Sequence, residues 1–179
     1  PGSRTLACGQ VAPPDAGTPP VDAGTPTDAG ASTVQLGVLA DVTAASWEAG
    51  VFPDSNDLNV EGGASGPGAV VYLRFPAISG AVKRAVLRLH GTTSPSASGG
   101  SGTVCAVADN SWNEATLTWA ARPSWGACAG AVTSVDPDKD VDWDVTPIIR
   151  ANAVQSLAIV SMDQNGAHFF SKEAGNGPR

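Results

Sequence analysis

Asp136, Asp138, Asp140, Asp142 and Asp144 alternate without a break. A row of carboxylates on one face of a chain repels itself unless it is solvated or cation-bound. Asp136-Pro137-Asp138-Lys139-Asp140 resembles the opening of a calcium loop, so Asp136, Asp138 and Asp140 are the candidate ligands of a structural calcium ion. The full helix-flanked loop is excluded. Val141 stands where its turn demands glycine, and Pro147 stands where it demands a bidentate glutamate. Asp54, Asp57 and Glu61 form a second, sparser oxygen set, and the alternative for the aspartate run is a solvent-facing turn leading into Trp143.

Catalytic chemistry has little to work with. His90 and His168 are the two histidines, far apart in the chain. No Ser-His-Asp order, Gly-x-Ser-x-Gly elbow or His-Glu-x-x-His zinc motif accompanies them. Glu114 and Glu173 are the one pair to test as glycosidase carboxylates. The expectation is that the chain is not an enzyme.

Stacking chemistry is better provided for. The chain has five tryptophans against one tyrosine. Trp47 and Trp125 lie in loop contexts, Ala45-Ser46-Trp47-Glu48-Ala49-Gly50 and Arg122-Pro123-Ser124-Trp125-Gly126. An exposed indole offers a flat apolar face to the C–H side of a sugar ring and an N–H for a hydrogen bond. A loop tryptophan serves equally well as a lid over the edge of the core, and both readings stand. Arg122 and Lys172 are candidate donors to ligand hydroxyl or carboxylate groups.

The elements that must position these residues are strands. Short apolar runs separated by Gly-, Ser- and Pro-rich turns predict strands near 34–42, 57–61, 69–75, 83–90, 102–108, 115–119, 130–135, 141–145, 155–161 and 167–172. One short helix is expected after Thr146, with Thr146 as its N-cap and Pro147 at its first position. Many short strands with no long helix predict an all-β fold, a jelly-roll-like two-sheet antiparallel β-sandwich. Within 69–75, Val71, Leu73 and Phe75 share one face; within 83–90, Ala85, Leu87 and Leu89 do. If the two runs pair as a hairpin, Tyr72, Arg74, Arg88 and His90 form a polar, ligand-facing patch behind that apolar set.

Five motifs occur in a fixed order: Tyr72-Leu73-Arg74-Phe75, Ala85-Val86-Leu87-Arg88-Leu89, Trp112-Asn113-Glu114-Ala115-Thr116-Leu117-Thr118-Trp119, Trp143-Asp144-Val145-Thr146 and Phe170-Ser171-Lys172-Glu173. From about Leu39 onward this resembles the DNRLRE domains, a family that resembles and partly overlaps carbohydrate-binding module family 96. The resemblance implies a non-catalytic sandwich appended to bacterial surface or secreted proteins, with a polysaccharide such as alginate as ligand. It also implies that Trp112, Trp119 and Trp143 pack in or near the core, and that Glu114 and Glu173 hold neighbouring basic side chains in place. Lys172 stands where the family usually has arginine, and lysine cannot reproduce a bidentate pair. Relatives also continue past the position of Arg179 into a further strand. The alternative function is a structural or adhesion domain that binds another cell-surface protein.

Composition bounds the partners. Net charge is −7 with 15% charged residues and no basic stripe, so nucleic acid is not an expected partner. No apolar run reaches the ~18 residues of a membrane-spanning helix. Pro13 to Ala31 is a near-repeat of Pro-Asp-Ala-Gly-Thr-Pro without large apolar side chains, and it predicts a disordered spacer reaching about 60 Å. Such tracts resemble the linkers of myxobacterial lipoproteins, and Thr5-Leu6-Ala7-Cys8-Gly9 resembles a lipoprotein cleavage site, with Thr5 where leucine is usual. On this reading 1–33 is a lipidated N-terminus and linker, and 34–179 is the sandwich. The membrane is met only through a lipid on Cys8, at the cell surface or beyond it; the alternative is a plain exposed thiol. Cys105 and Cys128 lie in or beside predicted strands; a bridge between them would close a loop worth about 3 kcal/mol, the alternative being two unrelated buried thiols.

Overall fold

The computed structural model describes residues 32–51, 55–94 and 99–179. Cys8, the spacer and Asp54 lie outside the described residues. Nine strands are present among them: β1 (Ala40–Ala45), β2 (Asp57–Gly63), β3 (Gly66–Phe75), β4 (Val86–His90), β5 (Gly102–Val107), β6 (Trp125–Val132), β7 (Asp140–Asp144), β8 (Gln155–Val160) and β9 (Ala167–Phe170). Every pairing is antiparallel. β3 is the central strand of the larger sheet, with β1 on one side and β8, β5 and β6 in succession on the other. Its first residues turn back on β2, which pairs with β9. β4 and β7 pair with each other, and a bridge between Gly91 and Phe169 joins them to β9.

The core forms where these two layers face each other. Val71, Leu73 and Phe75 of β3 meet Leu87 and Leu89 of β4, Val141 and Trp143 of β7 and Phe169 of β9. Trp143 is 1% exposed and stands edge-on to Phe169. The alternation read from the sequence thus marks the inner face of β3 and β4 correctly, and the fold is the expected two-sheet antiparallel sandwich. Residues Val34–Arg179 make one compact unit.

Several elements differ from expectation, each for a local reason. The 115–119 strand is a turn. The Asn113 side chain accepts from Ala115 N at 2.8 Å and its carbonyl accepts from Leu117 N at 2.9 Å, a self-capping that competes with the extended form. The helix after Thr146 is a single 3-10 turn, Thr146–Ile148. Val145, not Thr146, occupies the N-cap, because the Thr146 hydroxyl is engaged by Ala85 N at 2.9 Å. β1 begins at Ala40, and Leu39 before it is 54% exposed. β6 begins at Trp125, which is therefore a strand residue and not a loop one.

The largest correction concerns β3 and β4. They do not form a hairpin: β3 pairs with β1, β2 and β8, and β4 pairs with β7. The polar patch of Tyr72, Arg74, Arg88 and His90 therefore does not assemble. The outer face of β3 is instead covered by the 108–124 excursion, which carries a second apolar cluster of Trp112 and Leu117 against Val70, Tyr72, Val42 and Ala158. Burying an indole of this size at ~25 cal/mol per Å² is worth on the order of 5 kcal/mol. The disulfide between Cys105 and Cys128, which face each other directly across β5 and β6, ties together the two strands between which the excursion runs.

Candidate functional site

Most of the basic side chains proposed for ligand contact are committed inside the protein. Arg74 lies 5.1 Å from the Trp112 ring centroid and donates to Trp112 O at 2.6 Å and Asn110 O at 3.2 Å. Arg122 stacks 3.5 Å from the Trp119 centroid and donates to Trp119 O. Arg88 makes a bidentate pair with Asp142, 2.6 Å at each arm, on the solvent side of β4 and β7. That pair raises the Arg88 guanidinium and holds the Asp142 carboxyl below its ordinary range. Tyr72 is fully buried; its hydroxyl donates to Pro123 O at 2.8 Å, and burial pushes the phenol up to about 12. It is a pillar of the second cluster and presents nothing to a ligand.

Lys172 is the hub of a four-residue charge cluster. Its Nζ donates to Glu114 Oε2 at 2.9 Å and to Glu173 Oε1. Asp41 N also donates to Glu114 Oε2, and Lys172 N donates to Asp41 Oδ2 at 2.8 Å. Burial lowers the Lys172 ammonium, but Glu173 and Glu114 more than offset it and the net shift is upward. The Asp41 side chain is wholly inaccessible, and burial pushes its carboxyl up to about 6 despite the hydrogen bond from Lys172. Glu114 and Glu173 thus clamp one lysine, as the resemblance implied, and do not straddle an open cleft as a glycosidase pair would.

Asp138, Asp140, Asp142 and Asp144 of the aspartate run are likewise engaged. Asp140 and Asp138 lie 2.7 and 3.2 Å from the two ring nitrogens of His90, and Arg179 reaches Asp140 at 3.1 Å. The hydrogen bond from Asp140 raises the imidazole, and His90 in turn lowers Asp140. Asp57 does the same for His168 at 2.8 Å. Among the described residues, no group of three or more His, Cys, Asp or Glu side chains is disposed to hold a metal ion.

What remains open is a cleft of about 290 Å³ at the end of the larger sheet. Trp125 forms one wall, in register with Val107 so that both side chains project from the outer face. Asn110 and Ser124 line it from the 108–124 excursion, and Arg150 and Val154 from the loop before β8. Gln155 holds that loop rigid, accepting from Arg150 N at 3.1 Å and donating to the carbonyls of Arg150 and Ala153 at 2.5 Å each. Asn152, left-handed at φ 58°, ties the same loop to residues 78–80 through Ile78 O and Gly80 N. The Arg150 guanidinium, by contrast, is exposed and makes no hydrogen bond or ion pair to a described residue. An indole wall, hydroxyl and amide groups and an uncommitted guanidinium are the parts of a sugar site. A wider, shallower depression near Lys83, Arg84 and Asp144 has no aromatic side chain.

Of the expected site residues, only Trp125 reaches this cleft. Arg150 was missed because it sits within the segment read as a helix; its one sequence signal was that no carboxylate lies within four positions of it. Trp47 lies elsewhere. No curated protein matches the chain. Residues 32–179, which take in the whole described span, match the family model of carbohydrate-binding module family 96, so the chain belongs to that family and is a carbohydrate-binding domain.

Proposed function

We propose that the Trp125 cleft is the glycan site of this domain, and that it takes a sugar carrying a carboxylate. The observation that carries this is the juxtaposition of the half-buried indole of Trp125 with the Arg150 guanidinium, which has no partner among the described residues, on a braced loop. The ring would stack on Trp125, and its carboxylate would meet Arg150 in a charge-assisted pair. A guanidinium that already points into solvent has little to lose on binding. The domain acts without catalysis, since Glu114 and Glu173 are both spent on Lys172. In the same proposal, Cys8 carries a lipid and the Pro13–Ala31 spacer holds the domain away from an outer surface.

The test is a pull-down on insoluble alginate, pectin, xylan, chitin and peptidoglycan, with Trp125→Ala and Arg150→Ala as comparisons. Retention on the uronate polymers is expected, with loss in both variants. Retention of wild-type protein that neither variant weakens would refute this placement of the site.

A further inference from the structure

Trp47 has a different setting from every other tryptophan in the chain. It belongs to neither apolar cluster, whereas Trp143 is in the inner one and Trp112, Trp119 and Trp125 are in or against the outer one. It is 54% exposed, yet its backbone is pinned on both sides. Ser46 N donates to Gly68 O at 2.8 Å, and Glu48 N donates to Ala45 O at 3.3 Å.

The indole rests on backbone. A Cβ added at Gly68 would stand 2.8 Å from Trp47 Cζ3, closer than packed atoms approach. Gly68 is buried, and the same Cβ would also crowd Gly63 N and Gly62 C, at 3.2 and 3.3 Å. Glycine within a strand marks a close approach, and here what approaches is the tryptophan ring. The adjoining turn, Gly62-Gly63-Ala64-Ser65-Gly66-Pro67-Gly68, carries no bulky side chain that could cover the ring. The indole therefore covers backbone alone on one face and leaves about half of its surface to solvent, a flat apolar face open to a ligand.

Trp47 is also remote from the cleft. The ladder runs from Trp125 through Val107 and Ser156 to Arg74, three strand spacings across the sheet. From Arg74 back along β3 to Gly68 is about 20 Å of extended chain, which places Trp47 about 25 Å from Trp125. The two tryptophans that the sequence offers as candidate sugar platforms stand at opposite ends of the larger sheet.

We propose that Trp47 is the floor of a second glycan-contact site, on which one pyranose ring stacks. This rests on the carbohydrate-binding reading but not on the location of the first site. Two contacts about 25 Å apart on a rigid sandwich let the domain grip a polymer at two points or bridge two strands of it, so that polymer retention exceeds what either contact supplies.

The experiment is a titration of ¹⁵N-labelled protein with oligosaccharides prepared from alginate, pectin, xylan and chitin, following the indole N–H signals. Signals of both Trp47 and Trp125 are expected to move, with separate saturation. Trp47→Ala should lower retention on the parent polysaccharide about ten-fold while leaving the Trp125 titration unchanged. Gly68→Ala, which displaces the ring but keeps it, should do the same. Movement of Trp125 alone overturns the second site and leaves the cleft standing. Movement of Trp47 alone supports the second site and overturns the cleft, and movement of neither with any of the four overturns both.

Discussion

The Nζ of Lys172 stands 3.6 Å from Oδ1 of Asp41, an ion-pair distance too long for a hydrogen bond. Oδ1 is buried and has no other partner, although Oδ2 of the same carboxylate is satisfied by Lys172 N. One buried oxygen is therefore left without a hydrogen bond at the junction of β1, the 108–124 excursion and the C-terminal turn. Lysine occupies the centre of this junction as a point charge, and its donors go to Glu114 and Glu173.

Lys172→Arg should complete the junction. A guanidinium has five donors in a planar fork and can serve Asp41 Oδ1 while keeping Glu114. The expected gain is about 1 kcal/mol, read as a higher urea midpoint at pH 7. An unchanged or lower midpoint would mean that the orphaned oxygen is not what limits this site.

Asp41 also makes stability depend on pH. Burial disfavours the charge and pushes its folded carboxyl up to about 6, from an ordinary value of 3.8. The folded state thus binds the proton more tightly than the unfolded one. This contribution is fully present below pH 3.8 and is lost as pH rises through about 6. Asp41→Asn removes it, so the variant should gain on the wild type by about 3 kcal/mol between pH 3 and 7, of which about 1 kcal/mol falls between pH 5 and 7. His90 and His168, raised by Asp140 and Asp57, act in the same sense, and their contributions fade as pH rises above the ordinary imidazole range. Parallel denaturation curves for both proteins at several pH values check the sign.

Tyr72→Phe deletes the hydroxyl that reaches Pro123 O across the sheet. The expected cost is about 1 kcal/mol, since a buried carbonyl loses its donor. Tyr72 is the one tyrosine in the chain, so an ultraviolet titration reports it alone. No phenolate should form at pH 10 in the folded protein, because burial holds the phenol up to about 12. Ionisation near pH 10 would show that the 108–124 excursion does not seal the face.

Reducing the Cys105–Cys128 bridge, which spans 23 positions, should cost about 3 kcal/mol. The closed loop contains Trp112, Trp119 and the start of β6 at Trp125, so near-ultraviolet circular dichroism should weaken before the far-ultraviolet strand signal does. Simultaneous loss of both signals would indicate that the excursion and the sandwich unfold as one unit.

How much of this was legible in the chain follows from what each residue depends on. The inner faces of β3 and β4 were, because apolar alternation is a local property of an extended strand. Cys105 and Cys128 were, because both sit in or beside predicted strands. The strand at 115–119 was misread because Thr-apolar alternation there competes with Asn113, whose side chain folds the chain back within two residues. Arg74, Arg88, Arg122 and Lys172 were read as donors for a ligand, since their partners lie 36, 54, 3 and 58 positions away or in a neighbouring ring. A charged side chain looks free in a sequence until the fold supplies its carboxylate, carbonyl or ring.

The sequence by itself determined the class of fold, the inner core and the motif order of the family, because periodicity and short motifs are written in neighbouring residues. The tertiary structure decided which face of β3 is covered and which strands are neighbours, and therefore which tryptophan meets a cleft and which meets a glycine. Those outcomes rest on pairings such as Val107 with Trp125 and on the approach of Trp47 to Gly68. No local pattern encodes them; they arise only when distant segments share one packed sheet and compete for the same space.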